Sequence, residues 1–165
     1  MNDNTQSVFS FSNLAQYPTY FDQISAWFFE EWGGGIEERT FEQFSEGLNE
    51  RMNIDKLPVA FVALASGDLI GTASLICNEI SSLPRYKHWL ASVFVAPEHR
   101  RQGWGTKIVR TAVQIAPRYG IDKLFLYTHN HIDFYQQLGW QYVETVQYRN
   151  RDAMILGYSL QARLT

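Results

Sequence analysis

The sequence predicts a mixed α/β fold, a mostly antiparallel central sheet flanked by helices. Three observations carry this. Val59 to Ala65 and Leu69 to Cys77 are apolar runs of strand length, separated by Ser66-Gly67-Asp68 at hairpin spacing. Val93-Phe94-Val95 is a short run suited to a strand covered on both faces, and Pro97 stops it because proline cannot donate to a ladder. Beyond a glycine-bearing loop, Lys107 to Ala116 repeats at helical spacing and Lys123 to Tyr127 reads as a further strand. That strand–helix–strand passage gives the one parallel junction in an otherwise antiparallel order.

The remaining elements follow in chain order. Val8 to Phe11 alternates as a first strand. Tyr20, Ile24, Trp27, Phe28 and Trp32 share a helical face, and Gly33-Gly34-Gly35 ends that helix. Thr40 caps a second helix, with Gln43 completing a capping box and Phe41, Phe44, Leu48 and Met52 forming its apolar stripe; Pro58 closes the region. After the hairpin, Asn78 to His88 is the longest polar stretch inside the domain, and loops of that length often carry function. Trp89 to Val95 is the central strand. In the helix that follows, Ile108, Ala112 and Ile115 line one face with Val109, Val113 and Ala116 alongside; Pro117 disturbs the last turn and Gly120 terminates it. His131 to Leu138 is a short helix, capped by Asn130 and stopped by Gly139. Trp140 to Tyr148 and Met154 to Leu160 form a closing hairpin that turns at Arg149-Asn150-Arg151-Asp152. No repeat or linker interrupts the chain, so residues 1–165 read as a single domain.

Composition narrows the function. The chain has 165 residues, 45% hydrophobic and 15% aromatic, enough for a sizeable core. A net charge of −3 argues against a nucleic-acid partner held by a basic surface. Cys77 is the single cysteine, so no intramolecular disulfide and no cysteine-rich metal site is available, and a reducing compartment is expected. The first seven residues lack the basic and apolar regions of a signal peptide, and the run Pro58 to Ala65 falls short of the roughly 20 residues a bilayer demands. The expectation is a cytoplasmic protein with no membrane partner.

The chemistry concentrates in Pro97-Glu98-His99-Arg100-Arg101-Gln102-Gly103-Trp104-Gly105-Thr106. The loop ends where a helix begins, and a helix start offers unpaired N–H groups and the positive end of a dipole. Gly103 and Gly105 let the backbone curl close to a bulky group, while Arg100 and Arg101 add positive charge. Elementary physics therefore points to a phosphate-bearing ligand held mostly by main chain. The Walker pattern G-x-x-x-x-G-K-S/T and the Rossmann G-x-G-x-x-G are both absent. A bland strand-to-helix turn would not need two arginines and two glycines in this order.

Arg100-x-x-Gly103-x-Gly105 after a Val-x-Val-x-Pro strand resembles the acetyl-CoA signature R/Q-x-x-G-x-G/A of the GNAT superfamily of N-acetyltransferases. The element order is also that of the GNAT-like acyl-CoA N-acyltransferase fold. The resemblance implies that Val93, Phe94, Val95, Arg100, Arg101, Gln102, Gly103, Trp104, Gly105 and Thr106 bind acetyl-CoA as co-substrate, without a metal. A second stretch, His129-Asn130-His131-Ile132-Asp133-Phe134-Tyr135-Gln136-Gln137-Leu138-Gly139-Trp140, is similar to the other family landmark, F-Y-x-x-L-G-F/W. By that resemblance Asn130 and Phe134 contact CoA, and Tyr135 is the general acid that protonates the departing sulfur. Phe134 and Leu138 also read as a core stripe at i, i+4. His129 and His131 tempt a metal reading, but their i, i+2 spacing without a cysteine pair or H-E-x-x-H is a weak signal.

The resemblance implies direct transfer of acetyl to a primary amine, with a small-molecule acceptor as the leading expectation. Acetylation of a protein N-terminus or lysine, and a CoA-binding regulatory module without catalysis, stay open as alternatives. An amine resembling lysine has a pKa of about 10.4 and arrives protonated, so something must take a proton. A backbone N–H at the end of the Val93 to Val95 strand is the candidate for stabilising the oxyanion. The base is not fixed by sequence: Glu30, Glu31 and Glu79 fall in regions that line the acceptor side in GNAT-like proteins, and each alone also reads as a solvated glutamate. Trp32, Tyr86 and Trp89 are candidates for an aromatic wall suited to an ammonium, packing being the simpler account of Trp89. By resemblance a homodimer is possible, with Met154 to Leu160 as an edge strand open to a second copy.

Overall fold

The computed structural model describes residues 8–34 and 38–160. Seven strands form one sheet in the order β1-β2-β3-β4-β5-β7-β6. They are β1 (Phe9–Asn13), β2 (Val59–Ala65), β3 (Asp68–Cys77), β4 (His88–Val95), β5 (Lys123–Thr128), β6 (Gln141–Tyr148) and β7 (Arg151–Ser159). Four α-helices accompany them: α1 (Phe21–Trp32), α2 (Phe41–Asn49), α3 (Trp104–Ile115) and α4 (Ile132–Gln137). Every neighbouring pair is antiparallel except β4 and β5, which α3 joins as a crossover. The expected mixed α/β architecture is the one observed.

β2 shows why the sheet needs cover on both sides. All seven of its residues are buried. Val59, Phe61, Ala63 and Ala65 pack with Ile108, Val109 and Ala112 of α3, whereas Ala60, Val62 and Leu64 pack with Ile24, Trp27 and Phe28 of α1 and Phe44 and Leu48 of α2. The alternation is the two-residue period of a strand meeting two apolar layers. A third cluster, Ile76, Ile80, Tyr86, Trp89, Ala91, Phe125 and Ile155, fills the far half of the sheet beneath the 78–87 loop. Gly71 lets α3 close on the sheet: a Cβ there would lie 2.5 Å from the Phe94 carbonyl oxygen and 2.8 Å from Ile108 Cδ1.

Local signals decide the boundaries. The Thr40 hydroxyl accepts from the Gln43 N–H and the Gln43 side chain accepts from the Thr40 N–H, the reciprocal capping box expected. Ser66 (φ 48°) and Gly67 (φ 86°) alone form the β2–β3 turn, Ala65 pairing with Asp68. Arg149 (φ 54°) and Asn150 (φ 62°) alone form the β6–β7 turn, so Arg151 and Asp152 belong to β7 rather than to the turn. Two successive left-handed residues match the right-handed strand twist, which is why both hairpins close in two residues. Gly35, expected in the stop after α1, lies outside the described residues.

The expected edge strand is not one. The stretch Met154 to Leu160 is not a free edge: β7 lies between β5 and β6, with both sides of its backbone paired, so it has no ladder left for a second copy. The edges are β1 and β6. The error has a physical source, because the last strand in sequence inserts into the sheet before its hairpin partner does.

Candidate active site

β4 and β5 part company where the site begins. Among the described residues they share a single bridge, Trp89 to Phe125. β4 nevertheless stays paired with β3 as far as Gly71–Val95. Its second half therefore leaves β5 and opens a wedge in the sheet. A bulge accompanies the departure: Thr72 faces Phe94 and Ser74 faces Ala91, leaving Ser92 and Val93 opposite Ala73, with Ser92 at φ 54°. An extra residue on one strand increases local twist and leaves backbone groups out of the ladder.

The loop predicted to hold phosphate lies at one end of this wedge. A 3₁₀ turn at Pro97–His99 follows β4, and the Arg100 Nε–H donates to the Val95 carbonyl at 2.9 Å. The Arg100 guanidinium also lies 5.2 Å from the Phe94 ring centre, which ties the loop to the end of the strand. Arg101 (φ 62°) and Gly103 (φ 84°) take left-handed conformations, and α3 starts at Trp104 with no side chain capping it. Its first N–H groups are thus free of side-chain acceptors. Arg100, Arg101, Gln102 and Gly103 are exposed, and Thr106 is half-buried in the first turn. The Trp104 ring stacks on Phe9 at 6.0 Å and its indole N–H donates to Gln102 Oε1 at 3.3 Å, so its side chain anchors the loop to β1.

The second landmark meets the first at Gly105. A Cβ at that position would sit 3.6 Å from Phe134 Cζ and 3.8 Å from Val95 Cγ2, in ordinary contact. Phe134 of α4 therefore leans on the start of α3, and Tyr135 follows with its ring 5.0 Å from Phe134 and 6.2 Å from Trp140. Burial pushes the Tyr135 hydroxyl up to about 12, so it keeps its proton across the physiological range. Asn130 is exposed in the turn before α4 and does not cap the helix. His131 occupies the cap position, and its N–H donates to Thr128 Oγ1 at 3.0 Å. That bond fixes the turn ahead of α4, and no side chain caps the helix, so the cap expected of Asn130 is not made.

The acceptor candidates separate. Glu30 and Glu31 are exposed on α1. Trp32, half-buried, packs on Phe28 at 5.3 Å and on Phe94 of β4 at 6.1 Å. Tyr86 is not an open wall: it is 6% exposed, its hydroxyl donates to Glu144, and its ring lies 4.6 Å from Phe125. It belongs to the core beneath the loop, where Arg85 clasps the same Glu144 at 2.8 Å. Trp89 is fully buried and its indole N–H donates to the Tyr86 carbonyl at 2.8 Å, so packing is its role.

Glu79 is the carboxylate that the fold singles out. It is half-buried two residues beyond β3, and burial pushes its carboxyl above the usual range, although Arg51, Arg149 and Arg39 pull the other way. Around it stand residues that sequence reasoning missed. Arg51 follows α2, and its Nη1 donates to Ser74 Oγ at 3.1 Å and to Ser92 Oγ, in the bulge, at 3.0 Å. Tyr127 of β5 meets Tyr148 of β6 at 5.2 Å and His129 at 5.7 Å, and burial beside Glu79 raises its hydroxyl to about 12. No periodicity marks these residues, because they come from five separate segments. The one sequence signal was Arg149 and Arg151 flanking Asn150 in a turn, which reads equally well as solvated charge.

Comparison with known proteins agrees with this geometry. Residues 21–140 match the family model described as "Acetyltransferase (GNAT) family". N-acetyltransferase family 8 member 3 of Rattus norvegicus is 30% identical over 114 residues, which cover 63% of this chain and 50% of that protein. The chain thus spans about half the length of that curated relative. Among solved structures, an aminoglycoside 6′-N-acetyltransferase complexed with coenzyme A superposes with a TM-score of 0.72 at 19% identity, over 94% of this chain and 99% of the other. A variant of spermidine N-acetyltransferase from Vibrio cholerae gives 0.69 at 16% identity, over 95% and 96%. The sheet that splits at Trp89, the αL-glycine loop before α3 and the matched family model together show that the chain belongs to the GNAT family of acetyltransferases.

Proposed function

We propose that this protein transfers an acetyl group from acetyl-CoA to a primary amine, by direct attack and without a covalent enzyme intermediate. The observation that carries the reading is the wedge between β4 and β5, with the uncapped start of α3 following β4 and α4, which carries Tyr135, following β5. The residues fit the co-substrate. Arg101, Gly103 and the first N–H groups of α3 would hold the pyrophosphate, while Val93 to Val95 would pair with the pantetheine amides as a strand pairs with its neighbour. Bound there, acetyl-CoA supplies an activated carbonyl and a thiolate leaving group.

The chain's own groups then divide the work. The acceptor ammonium gives up one proton to become a nucleophile and another as the amide forms, while the sulfur takes one; one proton is released overall. Glu79 is the base, directly or through water, because its carboxyl is shifted upward and feels Arg51, which donates to Ser92 of the bulge. Backbone N–H groups freed at the Ser92–Val93 bulge would receive the negative charge growing on the carbonyl oxygen. Tyr135, holding its proton, gives it to the sulfur.

The cofactor assignment is checked by thermal unfolding. Acetyl-CoA should raise the melting temperature, by about 2.7 kcal/mol of stabilisation at a hundred times its dissociation constant, and ATP should not. Equal response to both, or to neither, removes the assignment. The base is checked by pH–rate profiles. A carboxylate works as base only when ionised, and Glu79 is shifted up, so kcat/KM should fall on the acidic side with an apparent pKa above the ordinary carboxylate value of about 4.3. Glu79→Gln should abolish that limb and lower the rate about 10²-fold at neutral pH. An unchanged limb in Glu79→Gln would transfer the role elsewhere.

The acceptor we favour is a small-molecule amine, a reading supported by the solved neighbours named aminoglycoside and spermidine N-acetyltransferases. Thiol release with acetyl-CoA across a panel of amines and peptides separates this from peptide acetylation. Silence across the panel, with acetyl-CoA still bound, would favour a CoA-binding module.

A further inference from the structure

Arg51 ties three neighbouring strands together at one level of the sheet. Its own N–H donates to the Leu48 carbonyl at 2.9 Å and its carbonyl accepts from the Ala60 N–H at 2.9 Å, so its backbone is fixed to α2 and β2. Asn53 locks the same segment, its Nδ2 donating to the Glu50 and Pro58 carbonyls at 2.9 and 2.7 Å. From that base the side chain reaches to the next two strands. One nitrogen, Nη1, donates to Ser74 Oγ of β3 at 3.1 Å and to Ser92 Oγ of β4 at 3.0 Å. The register places these targets side by side: Ala60 pairs with Ser74, and Ser74 pairs with Ala91, the neighbour of Ser92. The staple therefore crosses the β3–β4 ladder where the bulge breaks it, between Thr72 and Ser74.

Ser92 needs such a hold. A φ of 54° is left-handed backbone, which an L-residue adopts at a cost and keeps only where its surroundings impose it. A bulge also gives up ladder bonds that would otherwise fix the strand. Hydrogen bonds from a charged donor are among the stronger ones, and a guanidinium presents its donors in a rigid plane. Ser74 is fully buried, so one end of the staple cannot drift. Among the described residues Arg51 forms no salt bridge, and its side-chain hydrogen bonds go to these two hydroxyls. We propose that Arg51 is a positioning residue for acetyl transfer: by joining Ser92 to Ser74 it holds the β4 bulge in the shape that aims its freed N–H groups at the carbonyl oxygen of the acetyl group. Arg51 itself acts through the bulge and not on the reacting atoms. The inference rests on the acetyl-transfer reading and adds to it the residue that shapes the oxyanion site.

The test is a variant series in steady-state thiol release from acetyl-CoA with spermidine, or with the fastest amine of the panel should spermidine be silent. Each protein is assayed well below its own melting temperature. Arg51→Met should lower kcat roughly 10²-fold, the scale of a misplaced oxyanion donor, with KM for acetyl-CoA close to the parent's. Ser92→Ala should lower kcat in the same direction. Adding Ser92→Ala to Arg51→Met should cost nothing further, because the bond between them is already gone. Arg51→Lys keeps one charged donor and should retain part of kcat, and it stands in should Arg51→Met fail to fold. A second measurement reads the bulge directly. The Ser92 Cα and Cβ chemical shifts separate left-handed from extended backbone, and they should move toward extended values in Arg51→Met, or part of the way in Arg51→Lys. An undiminished kcat in Arg51→Met or in Ser92→Ala overturns the proposal, as do losses that add in the double variant. A rise in KM with kcat unchanged also overturns it, since that would make the arginine a binding group. Failure of acetyl transfer itself shows differently, as no thiol release by the parent protein with any amine of the panel. The Ser92 shifts then decide alone: movement in the Arg51 variants upholds the staple as what holds the bulge, and unmoved shifts sink it.

Discussion

Tyr135→Phe is expected to lower kcat about 10²-fold, within the range general acid catalysis supplies, while acetyl-CoA raises the melting temperature as it does in the parent protein. The reason lies in where the hydroxyl stands. Tyr135 follows Phe134, which touches the start of α3 through Gly105, so the ring is fixed relative to the phosphate loop. Phenylalanine preserves that packing and removes only the proton. Thiolates resembling cysteine leave with a pKa of about 8.5, so the loss is partial rather than complete. Stopped-flow measurement of thiol release decides it, and an unchanged rate takes the tyrosine out of the chemistry. The same shift has a stability consequence. The folded-state value of about 12 lies above the unfolded value of about 10, so this contribution is present below pH 10 and is lost as pH rises toward 12. Tyr127, also raised to about 12, adds to the same window. Alkaline unfolding of Tyr135→Phe should be correspondingly less steep between those limits.

The second large effect concerns the hinge of the wedge. Trp89→Ala should destabilise the protein by about 3–5 kcal/mol, the cost of truncating a fully buried large aromatic residue. For a chain of this size that corresponds to a fall in melting temperature of about 6–20 °C. Trp89 has no exposed surface, holds the Tyr86 carbonyl through its indole N–H and forms the single bridge between β4 and β5 among the described residues. Its ring lies 6.0 Å from both Tyr86 and Phe125 and 6.4 Å from Tyr127. Alanine leaves a cavity where the strands must still be held together before they diverge. Acetyl-CoA affinity should weaken alongside stability, because the wedge loses its fixed vertex. A denaturation midpoint within about 1 kcal/mol of the parent would show that the site collapses cheaply and that the splay is held elsewhere.

Much of this protein was legible in the residues alone. The strands, the capping box at Thr40 and the loop from Arg100 to Gly105 are local, and their signals are local too: alternation, a reciprocal side-chain cap, glycine where φ is positive. The proposed donor site is largely main chain from one contiguous stretch, so a short motif can encode it. Other features depended on the assembled sheet. β7 became an inner strand because chain order does not dictate sheet order. Tyr86 turned inward because Glu144, 58 residues away, offered its hydroxyl a partner. The start of α4 has no side-chain cap, and Thr128 holds the His131 N–H of the turn ahead of it. Arg39, Arg51, Glu79, Tyr127 and Arg149 come from distant parts of the chain and meet only after the β4 bulge and the β6–β7 hairpin are in place. Sequence by itself determined the loop proposed to grip the acetyl donor, since that loop is a backbone conformation set by local residues. Tertiary structure decided which charges act on Glu79, since that field is a sum over side chains whose separation in sequence says nothing of their separation in space.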